Sequence, residues 1–206
     1  MNSTRQDNRS QPGRRAMVVS TCPSCGAEVS ADAKWCASCN FTGAYSMVMF
    51  PGPPPPLMPV LDAAGLWSAG DVSRIETARG ILRGRFPQFH FNVCTVMLPS
   101  ETKLPVFGFW LLNASPLNVE ESAEDRAWTV LLLINARTGQ AAVVPGYSAE
   151  PWLSDEEWTK VLSHMAPRWK AGNSAGAVAA FFESSAVFLD RAWKLHGLSL
   201  PNNSHS

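Results

Sequence analysis

The sequence predicts an α/β protein in two unequal parts: a small module built on four cysteines, and an α/β sandwich domain with a sheet of about four strands flanked by helices. Three observations predict this. Four of the five cysteines fall within residues 22–39 as two Cys-x-x-Cys pairs. Residues 51–59 hold six prolines in nine positions and divide the chain. Beyond them, helix-like and strand-like patterns alternate to about residue 197, as expected when helices pack on a sheet.

The cysteine pairs come first. Cys22-Pro-Ser-Cys25 and Cys36-Ala-Ser-Cys39 are separated by ten residues. Each pair can curl into a tight knuckle that aims two thiolates at one point, and two knuckles complete a tetrahedron about 2.3 Å from a Zn²⁺ ion. Gly26 follows the first knuckle, where a positive φ is needed. Asn40 holds the matching place in the second and tolerates that conformation. Residues 26–35 suffice for a short hairpin between the knuckles, and Trp35 and Phe41 are placed to pack over the metal. Redox-active thiols and an iron–sulfur cluster are the competing readings. An odd total of five cysteines, four of them clustered, fits a metal site in a reducing compartment better than a disulfide framework. The segment 22–40 resembles the short zinc-ribbon family of bacterial proteins, in which the ribbon is a structural or adapter module. Because all four positions are Cys, no coordination site stays open for catalysis, so the expected zinc is structural.

Boundaries follow from composition. Residues 1–20 read as a disordered polar tail, 21–43 as the ribbon, 44–59 as a proline-rich linker, 60–197 as the large domain and 198–206 as a second disordered tail. The first tail carries Arg5, Arg9, Arg14 and Arg15 but no apolar stretch to act as a signal peptide, and Met17 is an alternative start. Seventeen basic residues balance seventeen acidic ones, without the excess of a dedicated nucleic-acid binder. Glu28, Asp32 and Lys34 give the ribbon no basic face, so nucleic acid is not the expected partner. No apolar run reaches the 18 residues of a membrane span, and a cytoplasmic protein is expected. Consecutive prolines favour an extended spacer that would hold the ribbon roughly 25–30 Å from the domain. Docking of the proline run into an aromatic groove on a partner is the alternative.

In the large domain, Val72, Ile75, Arg79, Leu82 and Phe86 recur at helical spacing and predict a helix over 71–86. Residues 89–98 are rich in β-branched and aromatic side chains and predict a strand; Cys94 within it is expected as a buried free thiol, and His90 as a strand-edge polar residue. Residues 103–113 form an apolar helix or turn, followed by an acidic loop with Glu120, Glu121, Glu124 and Asp125. The near-continuous apolar run 128–135 fits a strand covered on both faces. Arg137-Thr-Gly139 makes a turn and 140–144 a second strand. Ser154 and Glu157 form a capping box ahead of a helix whose buried stripe is Trp158, Val161, Leu162 and Met165, with Pro167 expected to end it. A long helix from about 174 turns Val178, Phe181, Phe182, Phe188, Leu189 and Ala192 inward and is expected to stop at Gly197.

From Val60 to Trp193 the chain resembles the TPM domain. The pieces, in order, are Val60-Leu-Asp62-Ala-Ala-Gly-Leu66, Asn92-Val-Cys-Thr-Val-Met-Leu98, Trp110, Val130-Leu-Leu-Leu-Ile134, Gly146-Tyr-Ser-Ala-Glu150 with Leu153-Ser-Asp155, and Pro167-Arg-Trp-Lys-Ala-Gly-Asn173. The resemblance implies phosphatase activity, Ca²⁺ binding by carboxylates in a surface cleft, or a role in assembling or repairing membrane complexes. Carried onto this chain, the candidate residues are Asp62, Glu150 and Asp155. Hard cations such as Ca²⁺ or Mg²⁺ want several converging carboxylate oxygens, and a cation so held can polarise a phosphoryl oxygen. Arg137, at the hairpin tip, is placed to meet a phosphate. The chain departs from the pattern: Ser148 and Asn173 stand where the family has Gly and Asp, and the Gly expected near Thr129 is missing. Asp62 and Asp155 also suit helix starts, where a negative charge is stabilising. Two functions are therefore weighed. The first is a non-catalytic adapter that binds protein partners; the second is a divalent-metal-assisted phosphatase.

Overall fold

The computed structural model describes residues 19–30, 33–117 and 121–196. The elements run β1 (Val19–Thr21), β2 (Glu28–Ser30), α1 (Gly43–Met49), β3 (Val60–Asp62), α2 (Ala69–Arg85), β4 (His90–Val96), α3 (Leu104–Ala114), α4 (Ala123–Ala127), β5 (Thr129–Asn135), β6 (Gln140–Pro145), α5 (Asp155–Lys170) and α6 (Ser174–Leu195). A 3₁₀ turn covers Glu150–Trp152. The main sheet has the order β3-β4-β5-β6, with the first two pairings parallel and the last antiparallel. The fourth strand of the predicted sheet is β3, only three residues long and too short for periodicity to reveal.

β5 is the axis of the domain. All seven of its residues are buried, as the apolar run predicts. Val130, Leu132 and Ile134 face one way, into a core with Ile75 and Leu82 of α2, Trp158 and Val161 of α5, and Phe181 and Phe182 of α6. Leu131 and Leu133 face the other way, against Trp110 and Leu111 of α3 and against Leu57. Each such side chain contributes about 1.5–3 kcal/mol by leaving water. Helix α3 approaches the sheet closely because position 108 is glycine: a Cβ there would stand 2.5 Å from Leu133 Cδ1 and 2.6 Å from Val144 Cγ2.

The ladder fixes what β6 shows to the outside. Thr129 lies opposite Gly146, whose N–H donates to the Thr129 carbonyl at 2.7 Å, so this is a hydrogen-bonded pair. Pairing repeats every second residue, so Gln140, Ala142 and Val144 bond inward to β5. On β5 the intervening positions serve β4: Trp128 O accepts from His90 N, and Ala136 N donates to Val96 O. Ala141, Val143 and Pro145 therefore direct their backbone groups away from the sheet. Pro145, which has no N–H to give, sits where none is needed.

Helix starts follow local chemistry. Ser68 with Asp71, Ser122 with Asp125, and Ser154 with Glu157 each form a reciprocal capping box. Hydrogen bonds from the Ser68 side chain and backbone hold the Asp71 carboxyl below its ordinary range. The second box turns part of the expected acidic loop into α4; Glu120 lies outside the described residues. Asn173 caps α6, its Oδ1 accepting from Gly176 N at 2.8 Å.

Several expectations are corrected. Pro167 does not end α5, which continues to Lys170. Proline at 167 withholds the N–H that Ser163 O would accept, but both residues are exposed and water can serve that carbonyl. Gly197, expected to end α6, lies outside the described residues. Within the span read as linker, Gly43–Met49 is helical. Phe50 packs edge-on against Phe107, and Leu57 is buried under the sheet, so the proline run lies along the domain instead of projecting from it.

Replacing Gly108 with Ala is expected to destabilise the protein by about 1–3 kcal/mol, since helix and strand must separate to admit the methyl group. Urea unfolding followed by tryptophan fluorescence measures this. An unchanged midpoint would mean that α3 does not pack as described.

Candidate functional site

The four cysteines meet. Their Sγ atoms all lie within 4.8 Å of one another, and among the described residues no other group of three or more Cys, His, Asp or Glu converges in this way. Cys22 and Cys39 sulfurs are 3.7 Å apart, and Cys25 and Cys36 sulfurs 3.6 Å. A regular tetrahedron with 2.3 Å bonds has sulfur–sulfur edges of about 3.8 Å, which these two edges match. The same spacings are far too long for disulfides, about 2.05 Å.

The two knuckles repeat one backbone pattern. Cys22 N donates to Ala27 O and Gly26 N to Cys22 O; likewise Cys36 N donates to Phe41 O and Asn40 N to Cys36 O. The turn residues adopt positive φ, 75° at Gly26 and 59° at Asn40, as the sequence predicts. Burial opposes ionisation of Cys36, but the N–H groups of Ser38 and Cys39 and neighbouring thiols outweigh it and bring the group down to about 6. The Ala27 N–H favours a Cys25 thiolate, yet sharing with Cys39 and the other sulfurs pushes that group up to about 12. The Cys36 proton leaves readily while those of Cys22 and Cys25 are held back, a conflict that a cation resolves.

Two details differ from expectation. The hairpin does not bridge the knuckles: β1 and β2 pair antiparallel on either side of the first one. Trp35 does not cover the sulfurs, being 57% exposed. Phe41 does, together with Val106 from α3, so the large domain supplies the apolar cover that the ribbon is too small to make.

The ribbon is thus seated on the domain and not held away from it. Phe41 and Phe109 meet edge to face with ring centres 5.6 Å apart. Lys103 Nζ donates to Ser24 O at 2.8 Å. Glu150 receives two hydrogen bonds from β1, each 2.6 Å, one from Ser20 Oγ and one from Thr21 N. Hydrogen bonds to a charged acceptor are worth about 1.5–3 kcal/mol each.

The other predicted site residues do not all gather: Glu150 and Asp155 line one cleft, and Asp62 and Arg137 lie towards the other end of the sheet. Asp62 closes β3, level with Ile134, and its carboxylate accepts from Leu66 N, Trp67 N and Thr95 Oγ1. Glu150 lies beyond Pro145, which is level with Val130 at the opposite end of β5. Those two levels are four residues apart, about 13 Å along the strand. Asp155 is exposed at the first position of α5, and Arg137 is exposed at the β5–β6 turn, at the Asp62 end. His90 is paired with Asp125, Nε2 to Oδ1 3.3 Å. Cys94 is buried, and its burial, with a smaller contribution from Asp62, pushes the thiol up to about 12. Sequence reasoning missed the partners of Glu150 and Lys103, because neither contact leaves a local pattern. Ser122-Ala-Glu-Asp125 was a readable capping signal.

Comparison with known proteins agrees with this architecture. Residues 114–187 match the TPM domain. This chain is similar in structure to the N-terminal domain of a protein from P. gingivalis, with TM-score 0.50 and 19% identity over 67% of this chain and 85% of that one. It is also similar to the N-terminal domain of the cg2496 protein from Corynebacterium glutamicum (TM-score 0.49, 16% identity, 63% and 78% covered). A third is the BA42 protein from Bizionia argentinensis (0.46, 15%, 61% and 82%). No curated protein matches the chain. At this identity the first of these likenesses establishes the fold alone.

Two outcomes are expected. Glu150→Ala should leave the ribbon's metal content unchanged but free β1, so that the Thr21 amide exchanges its hydrogen at least tenfold faster; unchanged protection would mean that the carboxylate does not hold the ribbon. Cys94 should resist iodoacetamide at pH 8 until the protein is unfolded. A thiol with a raised folded value favours folding fully below its unfolded pKa, about 8.5, and loses that contribution as pH climbs towards its folded value. Relative to Cys94→Ala, the wild type should therefore lose up to about 1.4 kcal/mol of stability per pH unit above that point. Parallel stability profiles from pH 8 to 11 would show that the thiol is not shielded.

Proposed function

We propose that this protein is a non-catalytic binding module, in which a structural Zn²⁺ ion holds the ribbon and the TPM-like domain holds the ribbon in place. The observation that carries this reading is the commitment of the acidic residues. Glu150 is occupied by β1, Asp62 by its own loop and by Thr95, and Asp155, on the wall of the same cleft as Glu150, is exposed at a helix start. A cation needs several carboxylate oxygens at 2.3–2.6 Å from one point, and these three side chains do not offer them. Four cysteine ligands saturate the other metal, which leaves it a scaffold.

The surface supports a binding role. From Trp35 to Leu61 the chain contains no charged residue. On α1 and beside it, Tyr45, Met47, Val48 and Met49 are all at least 41% exposed. An uncharged, methionine-rich surface suits a protein partner, since unbranched thioethers repack readily against varied shapes. A cleft of about 960 Å³ also separates the ribbon from the sheet and α5. No helix among the described residues is long and apolar enough to cross a membrane.

The runner-up is a Ca²⁺- or Mg²⁺-assisted phosphatase using Asp62, Glu150 and Asp155. One preparation tests both. Metal analysis of protein purified without chelators should return one zinc per chain, lost in Cys25→Ser. Hydrolysis of p-nitrophenyl phosphate should stay at background with Ca²⁺, Mg²⁺ or Mn²⁺. Metal-dependent turnover that falls in Asp155→Asn would overturn the binding reading in favour of the phosphatase.

A further inference from the structure

The free edge of the main sheet opens into the cleft between ribbon and domain. All six residues of β6, Gln140 to Pro145, line that cleft, and among the described residues no strand pairs with their outer side. The ladder register leaves the N–H and C=O groups of Ala141 and Val143, and the C=O of Pro145, pointing into it. Unpaired strand edges are normally blunted by charges, bulges or covering segments. Here Ala141, Ala142, Val143 and Val144 carry neither charge nor bulk, and β6 pairs with β5 without a bulge.

We infer that β6 receives an extended segment of a partner protein as a fifth strand. The inference rests on the binding-module reading and names the chemistry of its partner. Backbone groups spaced along an edge are recognised by another backbone. Six strand residues span about 20 Å, which sets the length of the added segment at about six residues. Its side chains would alternate between the α3 side, where Phe109 and Asn113 stand, and the α5 side, where Thr159 and Leu162 stand. Those four wall residues are uncharged, so β-branched or aromatic residues fit against them better than charged ones.

The walls choose this occupant over a second copy of the chain. Edge-to-edge pairing of two sheets brings two whole domains together. The same cleft, however, is lined by Trp35, Phe41 and Thr42 of the ribbon, which the Glu150 and Lys103 contacts hold on the domain. A slot of about 960 Å³ is of the size that accepts a peptide and not a folded domain. The ribbon, on this account, is the outer wall of a peptide slot.

The test uses the full metal-loaded chain and a displayed library of random heptapeptides. Enriched peptides are synthesised and their affinities measured by fluorescence anisotropy. We expect them to bind the wild type, and Val143→Pro to weaken binding at least tenfold by removing one outward N–H. Val143→Ala, which keeps that group, should bind within about threefold of the wild type. Because proline at 143 also strains the strand itself, two further measurements use the wild type alone. N-methylation of alternate peptide residues should abolish binding in one register and spare it in the other. Bound peptide should slow hydrogen exchange at Ala141 and Val143 amides at least tenfold. A library without enrichment overturns the inference, and so do enriched peptides that bind equally well when N-methylated in either register. Slow exchange at those two amides in the free chain would assign the edge to the chain's own terminal residues. Slowing that follows protein concentration would assign it to a second copy; either result overturns the inference. Metal-dependent phosphate-ester hydrolysis would instead strike the underlying binding reading, so the two failures are distinguishable.

Discussion

Two-sided burial of β5 is the constraint from which the rest of this molecule follows. A strand whose seven residues are all inside must have helices on both faces. On one face α2, α5 and α6 supply a large aromatic core, with Phe91 meeting both Phe181 and Phe182. On the other face a single short helix, α3, must cover the strand alone, and it does so by drawing close at Gly108. That economy leaves the rim of the second face short of cover. The chain before β3 fills the gap by burying Phe50 and Leu57 there, and the ribbon adds Phe41 against α3. The ribbon is therefore part of how the sheet is enclosed, and its position is a consequence of the same hydrophobic demand.

The cysteine cluster and the domain then support each other through different physics. The sulfur cage fixes the knuckles locally, since four converging thiols repel as they ionise unless a cation lies among them. The domain fixes the ribbon's placement through Glu150, Lys103, Phe109 and Val106. Neither does the other's work. A metal-loaded ribbon without Glu150 keeps its knuckles but loses two charge-assisted bonds. A seated ribbon without metal has almost no core, because Cys22, Cys36 and Phe41 are the buried residues it contributes.

What was legible in the sequence divides along the same line. Signals confined to a few neighbouring residues read correctly: the cysteine spacing, positive φ at Gly26 and Asn40, the Ser154–Glu157 box, and the stripes of α2 and α6. The long apolar run of β5 was legible because burial on both faces leaves no alternation to misread. Pro167 misled because proline's usual veto on helices weakens where the orphaned carbonyl meets water and where packing on α6 carries the helix onward. The proline run misled for a tertiary reason. Polyproline stiffness sets a reach, but Leu57 at its end is worth more buried than extended. Contacts spanning more than a hundred positions, such as Ser20 with Glu150, leave no trace in a single sequence.

Glu150 shows why a motif does not fix a role. The segment Gly146-Tyr-Ser-Ala-Glu150 keeps its shape for a local reason: a Cβ at Gly146 would press within 2.5 Å of the Ala127 carbonyl oxygen, so the turn beneath Glu150 tolerates little change. The turn delivers a half-buried carboxylate to the rim of the cleft whatever that carboxylate then meets. With further acids nearby it would be one ligand of a cation. With Asp62 at the far end of the sheet and Asp155 turned to solvent, the first donors within reach are the hydroxyl of Ser20 and the amide of Thr21. The carboxylate read from the sequence as a cation ligand holds a polypeptide strand instead, and the cluster able to hold a metal lies in the ribbon that the carboxylate grips. The carboxylate that grips β1 thereby positions the ribbon beside the cleft that β6 lines.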